Sequence, residues 1–145
     1  MNQKLETLLY GMQFRKLLEQ ELTPLQKKYS LRRIDMQILW YLHTAAERNT
    51  PGDINNISMF TKGHVSQSLG RMQKMHLIKI VRDEEDRRCV HVFLCRDAEE
   101  IMENVKRVYD TVNQIVFAGI TEEEKQVLLS VAKKINQNIK NVIAY

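Results

Sequence analysis

The sequence predicts a mainly α-helical chain interrupted by one two-stranded β-hairpin, and three observations carry that expectation. Apolar residues recur at steps of three and four through most of the 145 positions, the spacing of one helix face. The stretch from Leu77 to Cys95 breaks the rhythm. It runs from apolar Leu77–Val81 through all-charged Arg82–Arg88 to apolar Cys89–Cys95, the pattern of two short strands and a solvated tip. Five glycines and two prolines point to long helices joined by short connections.

The elements follow in order. From Asn2 to Lys28, Leu5, Leu8, Leu9, Met12, Leu17, Leu18, Leu22 and Leu25 mark an amphipathic helix, with Pro24 expected to kink or break it near Thr23. A second helix is expected over Leu31 to Glu47, with Ile34, Ile38, Leu39, Tyr41 and Leu42 inward and Trp40 at or near a buried face. Thr50-Pro51-Gly52-Asp53 is a helix start: Thr50 caps, proline suits the first position, and Asp53 reaches back to the cap. That helix runs to about Ser58. After a turn at Met59 and Phe60, Thr61 caps the next helix, Lys62 to about Met75, whose inner stripe is Val65, Leu69 and Met72. Beyond the hairpin, Ile101, Val105, Val108, Val112, Ile115 and Val116 continue a helix that Gly119 ends. A capping box, Thr121 to Glu124, opens the last one, with Val127, Leu128, Val131, Ile135, Ile139, Val142 and Ile143 as its stripe.

Two helices joined by a tight turn and followed at once by a basic-tipped hairpin make a winged helix-turn-helix with a two-stranded β wing. Residues 1–145 read as a single chain, 31–96 as the winged-helix DNA-binding region, and 1–29 with 97–145 as flanking helices of a dimerisation bundle. Charge follows the same division. Between Thr61 and Arg96 eight basic residues face four acidic ones, an excess of +4, while the remaining fourteen of each sign cancel. An excess confined to one helix and its hairpin is an electrostatic footprint for nucleic-acid phosphate.

Other classes find little support. No apolar run is long enough to span a membrane. The opening MNQKLETLLYGMQ has no basic segment ahead of an apolar run, so no signal peptide and a cytoplasmic location are expected. Cys89 and Cys95 lie six apart on one predicted strand, roughly 20 Å, too far to bridge. No acid pair, nucleophile–base pair or phosphate-binding glycine loop suggests an enzyme, and no cofactor is expected. His43, His64, His76 and His91 lack metal-ligand spacing.

On the helix that Thr61 opens, Ser66 and Gln67 can hydrogen-bond base edges, glutamine suiting adenine. Lys62 and His64 lie in the first turn, where backbone N–H groups also favour phosphate. Thr61 either touches phosphate or only caps. Gly63 either lets DNA approach the backbone or is a tolerated helix-start residue. Arg71 reaches a phosphate or pairs with a wing acid.

The run VSQSLGRMQKMHLI followed by RDEEDRRCVHVFL resembles the MarR family of winged-helix regulators, over nearly the full length in helix order. The wing motif is Asp86-Arg87-Arg88, and the strand ends at Leu94. Three positions depart from the family pattern: His76 replaces a glycine after the recognition helix, Ile80 a basic residue, and Cys95 a threonine. Lys79 and Arg82 can supply the phosphate contact that Ile80 lacks. The resemblance implies that Arg88 enters the minor groove and that Asp86 orients an arginine through a paired hydrogen bond. It leaves Arg87 between phosphate contact and solvation.

The resemblance also implies a ligand-responsive repressor acting as a homodimer on a pseudo-palindromic site in double-stranded DNA. Its small aromatic or anionic effector would lie in a cleft for which Phe14, Tyr29, Met36, Trp40 and Tyr41 are candidates, unless these five are plain core. Two different functions fit the same chain: a protein-interaction winged helix without DNA binding, and a regulator responding to metal or, through Cys89 or Cys95, to oxidant.

Overall fold

The computed structural model describes residues 12–45, 47–58 and 61–143, with the side chains of 13–45, 47–56 and 61–143. Leu5, Leu8, Leu9 and the turn at Met59 and Phe60 lie outside the described residues, as do the side chains of Met12 and Ile57. The chain divides into two compact units, one ending at Asp110 and the other beginning at Thr111.

The first unit contains α1 (Met12–Tyr29), α2 (Arg33–Thr44), α3 (Pro51–Ser58), α4 (Lys62–Lys74), β1 (Ile78–Arg82), β2 (Val90–Leu94) and most of α5 (Arg96–Val116). Its core joins Ile38, Leu39 and Leu42 of α2, Ile54 of α3, Val65, Leu69 and Met72 of α4, Ile78 and Val92 of the hairpin, and Ala98, Ile101, Met102 and Val105 of α5. Each large side chain fully withdrawn from water here stabilises by about 1.5–3 kcal/mol. Asp97 and Glu99 lie in the first turn of α5, where they favour the positive end of the helix dipole.

Of the kink or break expected at Pro24, the break does not occur: α1 runs through it. Leu22 and Leu25, on either side of it, pack against the core, and that burial outweighs one lost ladder bond. The Thr23 hydroxyl donates to the Glu19 carbonyl in the same turn (2.6 Å). The second helix is also shorter than its apolar pattern suggests, because Leu31 is buried without being helical. It closes the end of α1 instead. Ser30 takes a positive φ of 54°, its N–H meets the Lys27 carbonyl, and Leu31 N–H reaches back to Gln26 (2.9 Å).

This Schellman geometry recurs at the end of α4. His76 has φ 60°, its N–H donates to Gln73 (3.1 Å), and Leu77 N–H donates to Met72 (3.0 Å). Histidine thus occupies the left-handed position that the family resemblance gives to glycine.

β1 and β2 pair antiparallel with Ile78 opposite Leu94, Ile80 opposite Val92 and Arg82 opposite Val90. Ile78, Ile80, Val92 and Leu94 form the inner face, with Ile78 and Val92 buried and Ile80 and Leu94 packed against the core. Lys79, Val81, His91 and Phe93 form the other face. The start of α3 follows its sequence signature: Asp53 N–H donates to the Thr50 hydroxyl (3.1 Å), and Thr50 N–H to the Asp53 carboxylate (3.2 Å).

The second unit holds the end of α5, where Val112 is fully buried, a turn through Gly119 at φ 75°, and α6 (Glu122–Val142). Thr121 and Glu124 cap α6 reciprocally, as their spacing predicts. No residue of α6 is buried. Val127, Leu128, Val131, Ile139 and Val142 of its stripe are all exposed.

Candidate nucleic-acid interface

α4 separates its residues by face. Val65, Ser68, Leu69 and Met72 are buried, which leaves Lys62, Gly63, His64, Ser66 and Gln67 exposed. Thr61 caps the helix, accepting from His64 N–H (3.3 Å). A side chain added at Gly63 would meet nothing in the protein closer than the Thr61 hydroxyl at 4.0 Å, so no internal crowding requires glycine there.

Arg71 does not pair with a wing acid: its Nη2 pairs with the Asp35 carboxylate on α2 (2.7 Å), and its side chain stays 30% exposed. Asp35 is 1% exposed and holds two further donors, the Ser68 hydroxyl (2.5 Å) and the Arg32 backbone N–H at the start of α2 (2.9 Å). One carboxylate thereby caps α2 and fixes two successive turns of α4 against it. Neither Asp35 nor Ser68 was legible as a pair, although both are polar residues on otherwise apolar faces.

The exposed crest of α4 lies between two hollows. One, about 580 Å³, is lined by Pro51, Asn55, Lys62, Ser66, Gln73 and Ile80 among others. The second, about 260 Å³, is lined by Arg32, Ile34, His64, Gln67 and Arg71.

The wing is built on a second acidic residue. Asp83 accepts from Glu85 N–H (2.9 Å) and Asp86 N–H (3.3 Å), and its other oxygen accepts from His91 Nε2 (2.8 Å). The hydrogen bond from His91, reinforced by those two N–H groups, holds the Asp83 carboxyl below its ordinary range. His91 Nδ1 lies 2.7 Å from Asn49 Oδ1, and Val92 N–H donates to the Asn49 carbonyl (2.9 Å). Asn49 is itself buried. Asp86 accepts from the Arg88 backbone N–H (3.1 Å). Among the described residues it orders the turn rather than pairing with a guanidinium, so the orienting role implied by the resemblance is not what this geometry shows. Arg82, Arg87 and Arg88 are exposed, and none of their side chains meets an acid within the described residues.

Of the five effector candidates, Met36 lies in the core and Tyr29, Trp40 and Tyr41 pack against it. Phe14 is exposed. The Tyr29 hydroxyl accepts from Asn104 (2.7 Å), and the Tyr41 hydroxyl donates to the Arg48 carbonyl (2.6 Å). Trp40 stacks on Tyr109 at 4.4 Å between centroids. Met36 lines a cavity of about 50 Å³ with Leu18, Leu22, Val105 and Tyr109. Sites for drug-sized ligands are roughly 300–1,000 Å³. The sequence pattern could not separate these aromatics from core, because the partners that engage Tyr29, Trp40 and Tyr41 are set by the tertiary fold. Among the described residues, no group of three or more His, Cys, Asp or Glu is placed to hold a metal, Cys89 and Cys95 are free and half-buried, and no helix is long and apolar enough to cross a membrane.

Known proteins share both the sequence pattern and the fold. The family model described as transcriptional regulator SarA/Rot matches residues 20–105. No curated protein matches the sequence. Among solved structures, transcriptional regulator PA3341 superposes with a TM-score of 0.82 at 22% identity, covering 94% of this chain and 98% of that one. A MarR-family transcriptional regulator from Silicibacter pomeroyi gives 0.73 at 20% identity, over 97% and 89%. The S. aureus MepR–DNA complex gives 0.75 at 18% identity, over 90% and 94%. At these identities the likeness is one of fold, and the fold is that of the MarR-type winged-helix regulators.

Proposed function

The chain belongs to the SarA/Rot family of transcriptional regulators, and on that premise we propose that it binds double-stranded DNA as a homodimer, as a repressor on a pseudo-palindromic site. The observation that carries the reading is the exposed crest of α4, with Lys62, His64, Ser66 and Gln67, beside a wing whose Arg82, Arg87 and Arg88 have no acidic partner among the described residues. A helix of this kind inserts into the major groove, and an arginine-tipped wing follows the adjoining groove. Ser66 and Gln67 read base edges, whereas Lys62, His64, Arg82 and Arg87 contact phosphate and fix register. Arg88 enters the minor groove.

The homodimer is supported by the uncovered apolar stripe of α6, with Val127, Leu128, Val131, Ile139 and Val142. Two copies would set two recognition helices about 34–36 Å apart along the duplex.

The test is selection of a bound sequence from a random duplex library, followed by anisotropy titration. Arg88→Ala is expected to weaken binding at least tenfold, and log affinity to fall linearly with log salt concentration. Affinity that is flat with salt, or unchanged in the variant, would sink the reading in favour of a protein-interaction module.

A further inference from the structure

We propose that Arg32, at the start of α2, is a phosphate-binding residue of the DNA interface, which seats one backbone strand in the hollow between α2 and α4. The proposal rests on the DNA-binding reading above and extends it to an element outside the helix-turn-helix and wing.

The smaller hollow is lined on one side by His64, Gln67 and Arg71 and on the other by Arg32 and Ile34. Positions 64, 67 and 71 share one flank of α4 by helical spacing. Lys62, Ser66 and Gln73 line the opposite, larger hollow. α4 is therefore a ridge with a trough along each side. A helix lying in a B-DNA major groove about 12 Å wide is bordered by a phosphate backbone on each side in the same manner. One trough has Lys62 as its cation; the other needs one.

Beside the His64 contact, Arg71 adds no free cation, because its charge is matched by the buried Asp35 carboxylate. Arg32 does. It is exposed, and among the described residues its guanidinium has no ion-pair partner. Its neighbour Arg33 provides the contrast, since it is paired with Glu19 of α1. The Arg32 backbone is anchored too, its N–H held by the same Asp35 carboxylate that holds Arg71 (2.9 Å). The side chain thus springs from a point fixed relative to α4, which reduces the entropy lost when it takes a phosphate.

The test uses the full chain and a fluorescein-labelled mixed-sequence duplex of about 30 base pairs, long enough for two half-sites one helical turn apart, titrated by anisotropy from low to moderate KCl. Removing one phosphate contact from each of the two protomers lowers the salt slope by about 1.8 and weakens binding on the order of 60-fold near 0.1 M salt. Arg32→Gln is expected to show both effects, Arg32→Lys to recover most of the slope, and Arg33→Gln to stay within about twofold of the parent. Circular dichroism confirms that all three are folded. Equal losses for Arg32→Gln and Arg33→Gln would mean diffuse charge and overturn the assignment. An unchanged slope in Arg32→Gln, with Arg88→Ala still impaired, would overturn this proposal and spare the DNA-binding reading. No binding by the parent protein would overturn both.

Discussion

Replacing Asp35 by alanine removes an acceptor that three groups share, and the cost can be worked from each. The Ser68 hydroxyl is fully buried and would lose its acceptor, which costs about 1–3 kcal/mol. The Arg32 N–H would lose the side chain that caps α2, worth about 1 kcal/mol. The Arg71 side chain is 30% exposed, so its guanidinium can turn partly to water. It therefore incurs only a fraction of the roughly 3–5 kcal/mol typical of a broken buried pair. Allowing for overlap, Asp35→Ala should lose about 3–4 kcal/mol, a large share of the 5–15 kcal/mol usual for a domain. Urea unfolding followed by far-ultraviolet circular dichroism measures it. In a double-mutant cycle with Arg71→Ala, the double variant should lose about 1–2 kcal/mol less than the two singles together. A loss below about 1 kcal/mol for Asp35→Ala, or strict additivity, would refute the claim that this carboxylate clamps α4 to α2.

The end of α4 and the wing each offer a stability measurement. His76 holds a left-handed φ of 60°, which costs an L-residue about 1–2 kcal/mol. Glycine relieves that cost and gives back about 0.5–1 kcal/mol in unfolded-chain entropy. His76→Gly should therefore raise Tm by about 2–4 °C; an unchanged or lowered Tm would count against a strained cap. Asp83 has a folded-state carboxyl pKa below its ordinary 3.8, chiefly through the His91 hydrogen bond. A depressed carboxyl contributes stability that is present above the unfolded value and lost as pH falls through the folded one. The stability gap between the parent and Asp83→Asn should thus close as pH falls below about 4, and a gap that stays open in acid would refute it.

Much of the fold was legible because its signals are local. The change from helical to alternating spacing locates the hairpin to within a residue, and the caps at Thr50, Thr61 and Thr121 form as their side chains and spacing require. Leu31 shows where that logic fails: its apolar character suits a first helical turn, yet it is buried as the closing residue of the preceding helix. The interface was legible to the same depth. Exposed Ser66, Gln67 and the wing arginines follow from helix phase and from charge at a hairpin tip. Arg71 did not, because its partner lies 36 residues away, and nothing near either residue in the sequence records the match. Arg32 and Arg33 are indistinguishable as letters; only the tertiary placement of Glu19 separates them.

Asn49 grips the second wing strand through its carbonyl and the His91 ring through its amide oxygen, and it immediately precedes Thr50, the cap of α3. The wing is therefore tied at the same spot where the helix-turn-helix begins. A displacement of this junction would shift the wing and the start of α3 together.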